Sequence, residues 1–260
     1  MAERPTTLIT GASGGLGTAL AWQAAADGHD LILTARRGDL LTELAGALTA
    51  RHSTRILPIE SDLSFPDSAD RLVNDLLAQG WRVDHLVNNA GFGLHGPLTD
   101  QLSGQIADLL LVNLLSLTTL TRLLLPSMLS RGQGGILNVA SLAAFLPGPL
   151  MAAYYASKAY VLSLSEALSL EVSGTGVTIS CLCPGATATG FARDARMEDS
   201  RLFRTGTMTA ESAARLGWRG YRRGQRVIIP GWKNKLLATL GRLTPHSISL
   251  RVTRALHRNH

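Results

Sequence analysis

The chain opens with a strand, a glycine-rich turn and a helix in immediate succession. Thr6-Thr7-Leu8-Ile9-Thr10 is a short β-branched and aliphatic run, and apolar residues recur at helical spacing from Leu16 to Ala26. Between them stands Gly11-Ala12-Ser13-Gly14-Gly15-Leu16-Gly17. Glycines here let the backbone turn sharply and let a ligand approach it closely. The first turn of the following helix offers free amide N–H groups and a partial positive charge. These are the requirements for gripping the pyrophosphate of a dinucleotide; a glycine turn without a ligand is the plainer alternative.

The alternation continues along the chain. Further strand-like runs are Asp30–Ala35, Arg55–Glu60, His85–Asn88, Gly135–Ala140, Val177–Leu182 and Arg226–Pro230. Helical spacing occupies Asp39–Ala50, Asp67–Gln79, Ser103–Ser130, Ala152–Ser173 and Thr209–Arg222. Strands alternating with helices predict an α/β fold with a parallel sheet covered on both faces. Runs such as Leu31-Ile32-Leu33 suit strands buried on both sides. No linker or repeat divides residues 1–231, which are read as one domain; residues 232–260 are read as a basic amphipathic extension.

The end of the second strand bears on cofactor choice. An acidic residue there would take the ribose hydroxyls of NAD. The sequence has Thr34-Ala35-Arg36-Arg37, with no carboxylate. Two arginines can grip a 2′-phosphate and stack on adenine, which favours NADP; two solvated arginines on a loop are the alternative.

A second signal lies in the use of basic residues. Lysine occurs only at Lys158, Lys233 and Lys235, and the other 22 of 25 basic residues are arginine. The single lysine of the first 232 residues follows Tyr154 by four positions, so both lie on one helical face. A compact ammonium beside a phenol is suited to proton transfer, a task a planar guanidinium does not reproduce.

Taken in order, these segments resemble the short-chain dehydrogenase/reductase family, in its single-domain branch. The resemblance covers about Thr6 to Gly231 and rests on Thr10–Gly17, Asn88-Asn89-Ala90-Gly91, Ser141, Tyr154-x-x-x-Lys158 and Pro184-Gly185. It implies a Rossmann-type doubly wound parallel sheet of about seven strands, with one site at the strands' carboxyl ends. It implies an NADP(H)-dependent oxidoreductase interconverting a carbonyl and an alcohol. By the same resemblance, Tyr154 is the acid/base, Lys158 holds the nicotinamide ribose and lowers the tyrosine pKa, and Ser141 binds the reacting oxygen. Asn113 matches the asparagine that holds a relay water, with a satisfied core amide as the alternative. Gly11, Ser13, Gly14, Gly15, Leu16 and Gly17 match the phosphate loop, and Arg36 and Arg37 the 2′-phosphate contact. Asp62 and Leu63 match the adenine contact, and Asn89, Ala90 and Gly91 the segment beside the adenosine ribose. Pro184, Gly185, Thr187 and Thr189 match the segment meeting the carboxamide and phosphates. The Ala35-Arg36-Arg37 stretch and the basic tail resemble a poorly characterised bacterial subgroup. The family's oligomers suggest a homodimer or homotetramer paired through the two long helices.

Other features set bounds. Cys181 and Cys183 are the only cysteines and, two apart on a strand, read as reduced core thiols of a cytoplasmic protein; no metal site is expected. No uninterrupted apolar run reaches the ~18 residues of a membrane span. The net charge of +6 is lopsided: Ser212 to His260 holds eleven Lys or Arg and no acid. No nucleic-acid fold signature accompanies that charge, so no nucleic-acid partner is expected. In the tail, Leu236, Leu237, Leu240 and Leu243 form one stripe, interrupted at Pro245, and Ile248, Val252, Ala255 and Leu256 form another. These stripes suit packing on the domain, packing on a second subunit, or peripheral contact with an anionic membrane. Substrate walls are read in Leu142–Leu150, His95 and 191–208; Phe145, Leu146, Phe191, Met197 and Phe203 suggest an apolar ligand, or ordinary packing. Two rivals stand beside the enzyme reading: a non-catalytic dinucleotide sensor, and an epimerase or dehydratase. The second usually needs more than the roughly 75 residues that follow Gly185.

Overall fold

The structure, a computed structural model, describes residues 4–190, 207–244, 250, 251 and 253. Seven parallel strands form one sheet: β1 (Thr6–Thr10), β2 (Asp30–Ala35), β3 (Ile56–Glu60), β4 (His85–Asn88), β5 (Gly134–Val139), β6 (Val177–Leu182) and a short edge strand, Val227–Ile228. Their order is β3-β2-β1-β4-β5-β6 followed by the Val227–Ile228 strand, so the chain reverses its direction of travel at β1. This is the doubly wound arrangement, and its crevice lies at the carboxyl ends of β1 and β4.

Alternation along each strand divides the core in two. Ile9, Leu31, Leu33, Val87 and Leu137 face one layer, with α1 (Gly15–Ala26), α2 (Gly38–Arg51) and the helix Ala210–Arg222. Leu8, Ile32, Leu86 and Ile136 face the other, with α3 (Ser68–Ala78), the long helix ending at Arg131, and the helix Ala152–Glu171. Burial on both faces is why these strands read as continuous apolar runs.

The segment read as one helix, Ser103–Ser130, is helical throughout but not uniform. It comprises α4 (Ser103–Leu110), a wider π-type turn at Leu111–Ser116 and α5 (Leu117–Arg131). The π turn inserts a residue into the ladder and aims Asn113 inward, a distortion that recurs at functional sites. The whole span, Ser103–Arg131, has 29 residues and a mean hydropathy of 1.6, long and apolar enough to cross a membrane by length and composition. Here its face bearing Leu117, Leu120, Leu124 and Met128 is buried in the fold. Gly132 ends it in the left-handed conformation (φ 62°). Next come α6 (Ala152–Glu171), a two-residue pair β7 (Thr187–Ala188) with β8 (Met208–Thr209), then α7 (Ala210–Arg222), β9 (Val227–Ile228) and α8 (Trp232–Leu243). The β7–β8 pair was not expected from the sequence; it joins segments on either side of 191–206. Cys181 and Cys183 are free and buried, with their sulfurs 3.8 Å apart.

At the opposite end of the sheet from the crevice, the buried His29 stands beside the partly buried His85. His29 Nδ1 hydrogen-bonds the Thr7 hydroxyl (2.7 Å), His85 Nδ1 the Tyr221 hydroxyl (2.6 Å), and the rings lie 5.0 Å apart. Burial first, then Arg222, lowers His29 to about 4, against opposing Asp27 and Asp84. Burial, then His29 and Arg222, lowers His85 to about 4, against Asp84. The unfolded chain therefore takes up protons below its histidine pKa near 6.5 that the folded chain refuses. Stability present above pH 6.5 is expected to fall as the pH drops toward 4, with a slope approaching two protons. Denaturant melts between pH 4 and 7 check this. His85→Gln should reduce the slope by about one proton, and an unchanged slope would place the acid sensitivity elsewhere.

Candidate active site

A cleft of about 390 Å³ opens at the carboxyl ends of β1, β4, β5 and β6. The glycine loop forms one rim. Gly11 has φ 65°, and a Cβ there would lie 2.9 Å from the Ala90 Cα; Gly15 has φ 54°, and its Cβ would lie 2.9 Å from Thr189 Cβ. Gly17 is not a cleft residue. A side chain there would strike the Gly11 carbonyl, so Gly17 seats the helix on the strand. Helix α1 begins at Gly14 with no side-chain cap and no acid in its first turn, while Gly14, Gly15 and Leu16 line the cleft. Unsatisfied amides facing a cleft suit an anion. The residues present thus fit the pyrophosphate of a dinucleotide.

The two arginines separate in the structure. Arg37 lines the cleft and donates from Nη2 to the Ser13 carbonyl (3.2 Å) and hydroxyl (3.4 Å). Arg36, exposed like Arg37, is not among the lining residues. A carboxylate that the sequence reading passed over also stands near: a Cβ at Gly38 would collide with Glu60, at the end of β3. Asp62 accepts from the Ser64 amide (2.9 Å), and Leu63 is buried with its carbonyl taken by Ser116 (2.8 Å); neither lines the cleft. Asn89, Ala90 and Gly91 do line it. Asn89 Nδ2 donates to the carbonyls of Thr10 (2.9 Å) and Gly11 (3.1 Å), tying the end of β4 to the loop. Pro184, Gly185, Thr187 and Thr189 line it as well.

Ser141, Tyr154 and Lys158 converge on this cleft. Ser141 follows β5 and caps the turn Leu142–Phe145, its oxygen accepting from the Ala143 amide (3.1 Å). That bond orients the hydroxyl, which also hydrogen-bonds Tyr154. Tyr154 and Lys158 lie one turn apart on α6 and are both buried. The Lys158 ammonium donates to the Val139 carbonyl (3.0 Å) and stands 5.8 Å from the Tyr154 ring centroid. Just ahead of α6, Leu150 holds φ 68°, a costly conformation for a branched side chain.

Asn113 is buried next to the cleft and not in its lining. Its Oδ1 accepts from the Phe92 amide (3.1 Å), and its Nδ2 donates to the Phe92 carbonyl (3.0 Å) and to Ser157 Oγ (3.0 Å). It clamps the backbone just after β4 and does not line the cleft. A Cβ on Gly91 would lie 3.1 Å from Asn113 Oδ1 and 3.3 Å from Lys158 Nζ, so the two groups flank one small space.

Burial governs the electrostatics. It raises Tyr154 to about 12, against the opposing Ser141 hydrogen bond. It lowers Lys158 to about 8, against Cys181 and Cys183, which favour the charged form. Desolvation of the phenolate dominates at Tyr154, and the Lys158 ammonium donates to the Val139 carbonyl.

The apolar wall includes Leu142, Ala143 and Leu146 from the expected segment, joined by Phe92, Met151 and Tyr155. Gly148 makes room for the Tyr155 ring, which a side chain there would overlap. His95 is not among the lining residues, and Phe191, Met197 and Phe203 lie outside the described residues. Leu237, Ala238 and Thr253, from the basic extension, also line the cleft. No local motif marks them; their place depends on how α8 docks. Among the described residues no cluster of potential metal ligands occurs.

Comparison with known proteins agrees with this geometry. A family model described as short chain dehydrogenase matches residues 5–200. The ketoacyl reductase HetN of Nostoc sp. is 32% identical over 250 residues, covering 94% of this chain and 86% of that protein. A short-chain dehydrogenase from Sphingobium yanoikuyae, solved in complex with NADPH, superposes with a TM-score of 0.82 at 32% identity over 88% of each chain. One from Burkholderia phymatum, solved with NAD, gives 0.82 at 27% identity over 92% of each. The chain spans about half the length of the fungal very-long-chain 3-oxoacyl-CoA reductases it also matches. Sequence, fold and cleft together place the chain in the short-chain dehydrogenase/reductase family of oxidoreductases.

Proposed function

We propose that the protein reduces the carbonyl group of an apolar substrate, with NADPH as the preferred cofactor. The observation that carries this is the convergence of Ser141, Tyr154 and Lys158 on a cleft that also exposes the uncapped start of α1. Gly14, Gly15, Leu16 and Thr189 would hold the pyrophosphate, and Arg37 with Ser13 the 2′-phosphate. When bound, the dihydronicotinamide supplies a hydride to the carbonyl carbon. Tyr154, buried and with its pKa raised to about 12, holds its proton at neutral pH and would give it to the carbonyl oxygen. Ser141 donates to the same oxygen as negative charge develops on it. Lys158 stabilises the phenolate left behind and offers ribose contacts. The remaining lone pair of Asn113 Oδ1 and the space beside Gly91 would seat a relay water.

The wall of Phe92, Leu142, Leu146, Met151 and Tyr155 suits an apolar acyl chain or ring system. Relatives named as ketoacyl reductases make a 3-oxoacyl compound the first candidate. Exposed Leu110 and Leu115 on the long helix and Tyr160 on α6 are a suitable surface for pairing two subunits. Screening apolar ketones and 3-oxoacyl thioesters for NADPH consumption, with Tyr154→Phe as the blank, tests the reading. Cofactor binding without turnover across the panel would favour a dinucleotide sensor instead.

The pH dependence follows from the site. Reduction should be steady through neutrality and fall above about pH 8 as the Lys158 ammonium is lost. Lys158→Arg, whose charge persists, should remove that fall while lowering the rate by ~10²–10⁴. A rate profile that still bends near pH 8 in this variant would exclude Lys158 as its source.

Cofactor preference is a separate test. Charge-assisted contacts of ~1.5–3 kcal/mol each predict at least a roughly tenfold preference for NADPH over NADH. Arg37→Ala should lose most of it, and Arg36→Ala, on a residue outside the cleft lining, should lose less. Equal affinities in the unmodified protein would mean that the arginines do not select the 2′-phosphate.

A further inference from the structure

Helix α8 docks with the face opposite to its leucine stripe. Ala238 is buried, and a Cβ on Gly241 would lie only 3.0 Å from Leu146 Cδ2, so the small residues form the packed side. Arg242 sits 4.8 Å over the Phe145 ring and 3.7 Å from Glu166, fixing the helix from a flank. Trp232, Leu236, Leu240 and Leu243 recur three or four residues apart and therefore share one face. They are 71%, 52%, 49% and 76% exposed. Lys233 and Lys235 are exposed beside them.

We infer that this face docks on the surface of an anionic lipid bilayer and holds the mouth of the cleft against it. A tryptophan and three leucines along one side of a short helix, bordered by basic residues, match an element that lies in the interface plane. Charge selects the occupant. Helix α8 itself carries Lys233, Lys235 and Arg242 and no acid, so its exposed side is attracted to anionic headgroups. A second copy seated on the same face would bring a second set of lysines, and no carboxylate of α8, to the contact. The position also serves the chemistry, a point that rests on the function proposed above. Leu237 is half exposed and yet lines the cleft, and Ala238 beside it lines the cleft as well. An apolar carbonyl compound dissolved in the bilayer would therefore meet the cleft without crossing water.

The test measures binding, so it stands whether or not a substrate has been found. The full-length protein is floated with vesicles of phosphatidylcholine alone and of equal parts phosphatidylcholine and phosphatidylglycerol. Flotation with the anionic vesicles, weakened by salt, and a blue shift of tryptophan emission that disappears in Trp232→Phe are expected. Leu236→Glu with Leu240→Glu should weaken flotation by roughly tenfold or more while NADPH binding is retained. Single Leu243→Gln provides a milder substitution should the double variant fold poorly, and should weaken flotation in the same direction. Three results would overturn the inference: no binding to either vesicle, undiminished binding by the variants, or concentration-dependent self-association abolished by the same substitutions. Loss of turnover with flotation intact would count against the reductase reading alone.

Discussion

The site depends on how closely the first turn of α1 approaches the end of β1. Gly17 lies where any side chain would meet the Gly11 carbonyl and the Asn89 amide. That contact seats the helix, and the same Asn89 amide donates to the carbonyls of Thr10 and Gly11. The Thr10 hydroxyl in turn accepts from the amides of Asn89 (3.1 Å) and Ala90 (3.0 Å). The ends of β1 and β4 and the start of α1 are thus one hydrogen-bonded unit. Loosening it by a methyl group would displace the amides that face the cleft. Overpacking of that kind costs about 1–3 kcal/mol before any effect on binding. The glycines are therefore a packing requirement first, and the anion site is what that packing leaves open.

The reacting groups show a second competition, between charge and burial. The phenol and the ammonium are both taken from water, and each is pushed toward its neutral form. For Tyr154 this favours holding the proton. For Lys158 it brings the loss of charge close to neutrality, and the Val139 carbonyl offsets only part of that cost. A pair prepared this way is set to give a proton to a developing alkoxide. The Ser141 hydroxyl, oriented by the Ala143 amide, supplies a hydrogen bond that favours the phenolate.

Much of this was legible because short-range rules decided it. β1, β2, β4 and β6 have the bounds read from their β-branched runs, since each is bounded by a turn or a helix cap. Ser141, Tyr154 and Lys158 meet because one strand end and one helix turn are enough to position them. What escaped notice depended on tertiary contacts. Arg36 and Arg37 are equivalent in sequence, and only the exit direction of β2 puts Arg37 over Ser13. Asn113 reads as a polar residue in an apolar helix; that its amide is spent on Phe92 follows from the π turn. Glu60 is distant in sequence from the second strand's end and adjacent to it only through the β2–β3 register, where it pairs with Ala35.

The C-terminal helix shows why the rule that apolar stripes face inward can mislead. Leucines supply burial energy, about 25 cal/mol per Å² of apolar surface removed from water, so a stripe of four is ordinarily taken as the buried side. Helix α8 runs against a surface already filled by Phe145 and Leu146. Close approach there requires small residues, and Ala238 and Gly241 provide them. Once that side is committed, the leucines must face outward, because a helix cannot present both sides to one neighbour. Exposed leucines on a single helix are a standing cost in water. In a segment without a single acid, that cost is removed by an apolar layer bearing negative charge, and the bilayer surface is such a layer.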